Sequence, residues 1–141
     1  MINLADIKAP KLSISVSGPV RCTHEFILRV RGKSKPFFEE TDVNWSDENS
    51  NDLSSRPEID TYSITKQLQA HKGEKIAFDW MIFIAKTSPL DIYKVTISVV
   101  NEGVLVFVET YSNGDSDANN SRNGRVEFGG ETIMVSEGDD Q

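Results

Sequence analysis

The stretch CTHEFILRVR, residues 22–31, decides the fold class of this chain. Apolar and polar side chains alternate along it, which is typical of a β-strand with one face against a core and the other in solvent. Cys22, His24 and Phe26 begin the face that we expect to be buried, whereas Arg29 lies on the opposite face. The stretch therefore predicts a half-buried strand with a basic outer face.

Similar short segments recur along the rest of the chain. The predicted strands are residues 11–16, 22–31, 60–68, 75–85, 91–100, 104–111, 125–128 and 131–136. No amphipathic helix of ten or more residues is indicated. About eight short strands with Gly, Pro and Asn punctuation predict an all-β fold, a single antiparallel β-sandwich of immunoglobulin-like or jelly-roll type. A small closed β-barrel is the alternative that the pattern leaves open.

The most apolar of these segments is KIAFDWMIFIA, residues 75–85. Large apolar side chains occupy both of its faces, with Met81 and Phe83 opposite the main apolar row. We therefore expect a central strand that is buried on both sides, or nearly so. Asp79 interrupts this strand, and an acid there requires a hydrogen bond, an ion pair or a sheet face open to a cleft.

Two connections between strands have recognisable turn chemistry. Ser17-Gly18-Pro19 joins the first two strands and predicts either a hairpin or a corner between two sheets. Asn101-Glu102-Gly103 predicts a hairpin with a three-residue loop, in which Gly103 takes the left-handed conformation.

Residues 32–59 lack any strand period and are rich in Ser, Asn and acidic residues, so they predict a long acidic loop. Eight acids and one base between residues 38 and 60 give that segment a net charge of −7, equal to the formal charge of the whole chain. We expect one β-sandwich domain over residues 1–136, with this loop inside it and a disordered tail at 137–141.

A row of cations precedes the acidic loop. Arg29, Arg31, Lys33 and Lys35 would emerge on one side of the second strand if that strand continued past Gly32. They could bind phosphates or an acidic partner, but pairing with the acids of residues 39–60 is the simpler expectation.

The ionisable residues do not form a recognisable catalytic or metal-binding motif. Cys22 and His24 are spaced like zinc ligands, yet two residues on an apolar strand face predict a core cysteine and a hydrogen-bonded histidine. Asp115, Asp117 and Asn119 have the alternate spacing of calcium ligands, but Asn120 and Val126 replace the glycine and glutamate of an EF-hand loop. We therefore expect no enzyme and no cofactor. A looser calcium site at the three residues is the only metal alternative.

Composition limits the choice of partner and compartment. The net charge of −7 argues against a nucleic-acid ligand, and the chain lacks a run of about 18 apolar residues that would span a membrane. A single cysteine and a polar N-terminus without a secretory signal favour the cytoplasm.

These observations lead to two functional hypotheses. The first is a non-enzymatic protein–protein interaction module, an assembly component, adaptor or inhibitor that binds a protein partner or itself. Its expected partner-binding residues are Phe37, Phe38, Glu39, Glu40, Asp42, Trp45, Arg29 and Arg31. The alternative is a module for a carbohydrate or another small polar ligand, with or without calcium, at loops 32–59 and 112–124. That alternative requires the two loops to meet at one end of the sandwich.

Overall fold

The computed structural model of the chain describes residues 8–45, 58–86, 92–112 and 119–128. The strands are β1 Pro10–Ser17, β2 Val20–Val30, β3 Phe38–Trp45, β4 Glu58–Ser63, β5 Ile76–Lys86, β6 Lys94–Asn101, β7 Val104–Ser112 and β8 Asn119–Phe128, and one short helix, α1, spans Thr65–Ala70. They form two antiparallel sheets, a first sheet of order β4-β1-β6-β7 and a second sheet of order β3-β2-β5-β8. The predicted β-sandwich is confirmed, and the closed barrel is wrong.

Alternate residues of the strands meet between the two sheets and form the core. The predicted inward face of β2 is confirmed, because Cys22, His24, Phe26 and Leu28 are all fully buried. They pack with Leu12, Ile14, Val16, Phe78, Trp80, Ile82, Val95, Ile97 and Val99. Burial of each Leu, Ile, Val or Phe side chain contributes roughly 1.5–3 kcal/mol to stability. The alternation seen in the sequence thus supplies the main driving force for packing.

Of the two predicted turns, one is a corner between the sheets and the other is a hairpin. Gly18 and Pro19 carry the chain from the first sheet into the second, so this connection is a corner and not a hairpin. The β6–β7 hairpin is confirmed, but Asn101 pairs directly with Val104, which leaves a loop of two residues instead of three. Both loop residues, Glu102 and Gly103, have positive φ values of 50° and 79°, as a type I′ turn requires.

The predicted acidic loop is wrong over Phe38–Trp45, which form β3 and pair with β2 along its length. The apolar period is absent there because β3 is an edge strand. On the inward side of the sheet, Phe38 is followed by Glu40, Asp42 and Asn44, and only Asn44 of these three is buried. The predicted loop also includes residues 46–57, which lie outside the described residues.

The predicted strand 60–68 is half right. The strand ends at Ser63, and Thr65–Ala70 form α1. Ile64 and Leu68 are fully buried and lie four residues apart, so one helical turn buries both on the same side. The intervening Lys66 and Gln67 favour helix over strand, which explains the change of structure.

The last strand begins earlier than predicted. β8 starts at Asn119 and pairs with β5 as far as Ala85, so residues 119–124 are strand and not the crown of a polar loop. The predicted strand 131–136 and the predicted tail 137–141 lie outside the described residues, and the domain limits stay a prediction.

Candidate functional site at the outer face of the second sheet

The outer face of the second sheet, the side turned away from the first sheet, has an apolar centre. Met81 and Phe83 of β5 are 53% and 45% exposed, and Val43 of β3 is 42% exposed. Thr23 pairs with both Val43 and Phe83, so these three residues form one row across the sheet. The prediction that β5 is buried on both sides is therefore wrong, although β5 is an interior strand as expected.

The first sheet provides an internal comparison. Near the middle of its interior strands β1 and β6, the outward positions are Ser13, Ser15, Thr96 and Ser98, all of them small and polar. An antiparallel sheet with one solvated face normally carries polar residues on that face. The first sheet follows this rule at its centre, and its exposed apolar residues Ile59, Leu105 and Val108 belong to the edge strands β4 and β7. The second sheet departs from the rule at the centre of its outer face.

A charged cluster borders the apolar centre. Asp79 accepts hydrogen bonds from Arg125 Nε at 2.5 Å and Arg125 Nη2 at 3.1 Å, and Arg29 Nη1 donates to the same carboxylate at 3.0 Å. Asp79 thus has the ion pairs that an acid in β5 was expected to need. The hydrogen bond to Asp79 and the charge of its carboxylate raise the pKa of Arg125.

This cluster lines a shallow depression of about 470 Å³ on the outer face. Glu25, Ile27 and Met81 are among its other lining residues. Hydrophobic side chains at the centre with a polar and charged rim are the usual composition of a protein–protein contact surface. The depression and the exposed row beside it are the candidate functional site.

Among the residues that the structure describes, the basic row does not form the expected ion pairs with the acids of residues 39–60. Arg29 binds Asp79, and Arg31 Nε lies 3.5 Å from Glu127 Oε2 on β8. Both arginines therefore pair with acids of their own sheet. Lys33 and Lys35 follow the end of β2 and are exposed in the connection to β3.

A buried polar network closes the margin of the sandwich where β3 faces β4. Asn44 Nδ2 donates to Asp60 Oδ2 at 2.8 Å, which leaves Asn44 Oδ1 to accept from His24 Nδ1 at 2.8 Å. His24 Nε2 then accepts from the Tyr62 hydroxyl group at 2.7 Å. The network connects the second sheet, through His24 and Asn44, to the first sheet, through Asp60 and Tyr62. The expectation of a hydrogen-bonded core histidine is confirmed.

Burial governs the ionisation of this network and of the neighbouring thiol. Burial lowers the pKa of His24, against the opposing effect of Asn44 and nearby carboxylates. It raises the pKa of Tyr62 to about 12, and Asp60, Asp42 and Glu40 add to that increase. Burial also raises the pKa of Cys22 to about 12. A protonated, fully buried thiol is a poor nucleophile, as expected of a core cysteine.

The expected partner-binding residues do not form one surface. Arg29, Arg31 and Glu39 belong to the outer face of the second sheet, because Glu39 pairs with outward-facing Ile27. Phe38, Glu40 and Asp42 instead lie at the margin near β4 and pair with inward-facing residues of β2. Phe37 stacks on His71 at one end of the sandwich. Trp45 is the last residue of β3.

The two loops of the alternative hypothesis leave the sandwich at the same end but at opposite margins. Trp45 and Glu58, which flank residues 46–57, belong to the edge strands β3 and β4 that face each other. Ser112 and Asn119, which flank residues 113–118, belong to β7 and β8 at the other margin. Three strand spacings separate the margins, about 14 Å. Asp115, Asp117 and the side chain of Asn119 lie outside the described residues.

Other observations neither add a site nor identify a family. Within the described ranges, no group of three or more His, Cys, Asp or Glu residues is arranged to hold a metal ion. None of the described helices is long and apolar enough to cross a membrane. No family model, curated protein or solved structure matches the chain.

Sequence reasoning missed Met81, Phe83 and Val43 as surface residues. The apolar residues on both faces of β5 are equally typical of a strand buried on both sides and of a strand with an exposed apolar face. Only the packing of layers distinguishes the two cases, and no described element covers the outer face of the second sheet.

Proposed function

We propose that this chain is a non-enzymatic β-sandwich that binds a protein through the outer face of its second sheet. One observation carries the proposal: an interior strand presents two large apolar side chains, Met81 and Phe83, away from the core. Exposed apolar side chains of this size at the centre of a sheet face lower solubility, so a surface that has them is typically a contact surface. The partner is a different protein or a second copy of this chain.

The arrangement of charges supports a role in contact. Arg29 and Arg125 share one carboxylate, that of Asp79, so the rim of the apolar centre keeps cationic groups that can pair with a partner. Arginine is enriched in protein interfaces, and central apolar residues with a charged rim carry most of the binding energy. Glu25 and Glu39 on the same face add the opposite charge.

The state of the ionisable groups favours binding over catalysis. Cys22 is buried with a raised pKa, both oxygens of Asp79 are occupied by arginines, and His24 is hydrogen-bonded at both ring nitrogens. None of these groups is placed to exchange a proton with a bound substrate. The single cysteine, reduced and buried, is consistent with the cytoplasm, which remains the proposed compartment.

A pair of matched variants tests the proposal. Met81→Thr/Phe83→Thr removes the apolar centre, and Leu105→Thr/Val108→Thr removes two residues of similar exposure from the outer side of edge strand β7. Each tagged protein is isolated from its native cells, and the mass of the complex is measured by light scattering. We expect the wild-type and β7-variant complexes to have the same mass, and the β5 variant to be recovered as a lone chain.

Equal masses for all three proteins would contradict the proposal. Far-UV circular dichroism and urea unfolding of the purified variants provide the folding control. Because all four substituted residues are exposed, we expect both variants to unfold within about 0.5 kcal/mol of the wild type.

A further inference from the structure

A second depression lies at the end of the sandwich where the β2–β3 connection meets the turn between α1 and β5. Its volume is about 460 Å³. Val30, Pro36 and Phe37 provide apolar lining, and Lys33, Lys35, His71 and Glu74 provide the polar lining. Ligand sites in proteins have volumes in the range of roughly 300–1,000 Å³ and combine an apolar wall with a few polar groups.

Backbone hydrogen bonds hold the walls of this depression in place. Arg31 N donates to Lys75 O at 2.8 Å and joins the two segments that form it. Lys33 N donates to Val30 O at 2.9 Å, and Phe37 N donates to Leu28 O at 2.9 Å, so both ends of the β2–β3 connection are anchored to β2. A depression with fixed walls requires little ordering when a ligand binds.

An aromatic stack forms one wall. The rings of Phe37 and His71 are 4.0 Å apart between centroids, with an angle of 29° between their planes. His71 Nδ1 lies 2.9 Å from Glu74 Oε1, which fixes the orientation of the imidazole ring. The side chain of His71 remains 28% exposed. A flat ligand can therefore pack against a stack whose geometry is already set.

The charges around this wall are unbalanced. Arg29 and Arg31 are paired with Asp79 and Glu127 on the outer face. Lys33 and Lys35 are exposed, and among the described residues neither has a carboxylate within 4.0 Å. The carboxylate of Glu74, the one acid among the described residues that line the depression, is held by His71. Two ammonium groups thus stand beside an apolar wall in a chain whose net charge is −7.

We propose that this depression binds a small aromatic anion, a carboxylate or phosphate group attached to a flat ring. The anionic group lies between Lys33 and Lys35, and the ring packs against Phe37 and His71. Charge complementarity selects the anion, and the aromatic wall selects the ring over a bare ion. This site is separate from the outer face of the second sheet, so a test of ligand binding here does not depend on whether the protein contact proposed there exists.

Phenyl phosphate is the probe, titrated into ¹⁵N-labelled full-length protein and followed by two-dimensional NMR. We expect saturable shifts of the amide signals of residues 33–35, 37 and 71–74. Inorganic phosphate and phenol, which each supply half of the probe, are expected to bind at least about tenfold more weakly, because each loses one of the two contacts.

Two variants with the same change of charge test the assignment. Lys33→Ser/Lys35→Ser is expected to weaken phenyl phosphate binding at least about tenfold. Lys66→Ser/Lys94→Ser, which removes two exposed lysines elsewhere, is expected to bind like the wild type. All four side chains are exposed, and the NMR spectrum of each variant verifies its fold.

Three results would overturn the proposal. They are the absence of saturable shifts at these residues, equal binding of inorganic phosphate and phenyl phosphate, and an equal loss of affinity in both lysine variants. The last result would show that net charge alone attracts the probe.

Discussion

Gly124 shows how a single residue creates room for the core. It lies inside β8 opposite Trp80, and a Cβ atom at this position would overlap the indole ring of Trp80. That ring is nearly buried, and its Nε1 donates to the Tyr111 hydroxyl group at 2.9 Å. In the sequence, Asn123-Gly124 resembles a turn, but the glycine is required here for close packing and not for a turn.

We expect Gly124→Ala to lower the free energy of unfolding by about 2 kcal/mol, because the indole must shift within a packed core. Urea unfolding followed by tryptophan fluorescence measures the change. Asn123→Ala, at the adjacent exposed position, should stay within about 0.5 kcal/mol of the wild type. Equal stability of the glycine variant and the wild type would mean that Trp80 does not pack against β8 as described.

His24 makes stability depend on pH in a predictable direction. Its pKa is lowered in the folded protein, so below its ordinary value of 6.5 the unfolded chain binds more protons than the folded one. The stabilisation by neutral His24 is therefore complete above pH 6.5 and is lost as the pH falls towards the folded-state pKa. Within that window the loss is at most about 1.4 kcal/mol for each pH unit.

Urea unfolding of wild type and His24→Gln at pH 7.5, 6.5 and 5.5 isolates this effect from the titration of the carboxylates. We expect the difference in free energy of unfolding between the two proteins to shrink as the pH falls. A difference that stays constant over this range would show that His24 does not titrate differently in the folded and unfolded states.

Among the elements, β2, β5 and β8 are connected on the outer face by the cluster of Arg29, Asp79 and Arg125. Asp79 pairs directly with Arg125 in the sheet register, and the hydrogen bonds between them are charge-assisted. The Asp79 side chain is 22% exposed, so solvent weakens these interactions only in part. The cluster therefore contributes more than an ordinary surface ion pair does.

We expect Asp79→Asn to lower the free energy of unfolding by about 1 kcal/mol, since two arginines lose their shared carboxylate. Glu102→Gln, which removes the more exposed ion pair with Lys8, is the matched control and should change stability by less than about 0.5 kcal/mol. Both are measured by urea unfolding at low salt. Equal effects of the two substitutions would show that the cluster is only a solvated surface pair.

The elements also show what sequence periodicity can and cannot predict. Strands that bury an apolar row, such as β1, β2 and β6, were found because every second residue faces the core. Edge strand β3 was missed because Glu40, Asp42 and Asn44, all polar, occupy the inward side of the sheet at its margin. Its position depends on pairing with β2 and on the contact of Asn44 with His24, which involve residues distant in sequence.

The candidate site was predicted only in part, for a related reason. Arg29 and Arg31 were recognised as outward-facing, but their partners Asp79 and Glu127 lie on other strands. Met81 and Phe83 were recognised as a second apolar face, but an apolar residue in a sequence does not reveal whether another layer covers it. That information resides in how the layers of the fold pack on one another.

For the molecule as a whole, the two outer faces differ in chemistry. The interior strands of the first sheet present serine and threonine, and those of the second present an apolar centre with a charged rim. Exposed apolar side chains occupy the interior strand β5 in the second sheet, whereas in the first sheet they occupy the edge strands β4 and β7. The proposed protein contact is the central claim that follows from this asymmetry.

Site-specific photo-crosslinking tests this claim most directly. A benzophenone amino acid replaces Phe83 on the second sheet or Ser98 on the first, both of them outward positions on interior strands. After irradiation in native cells, we expect position 83 to yield a discrete covalent adduct with a protein, and position 98 to yield none. Adducts of equal yield at both positions, or no adduct at position 83, would contradict the account.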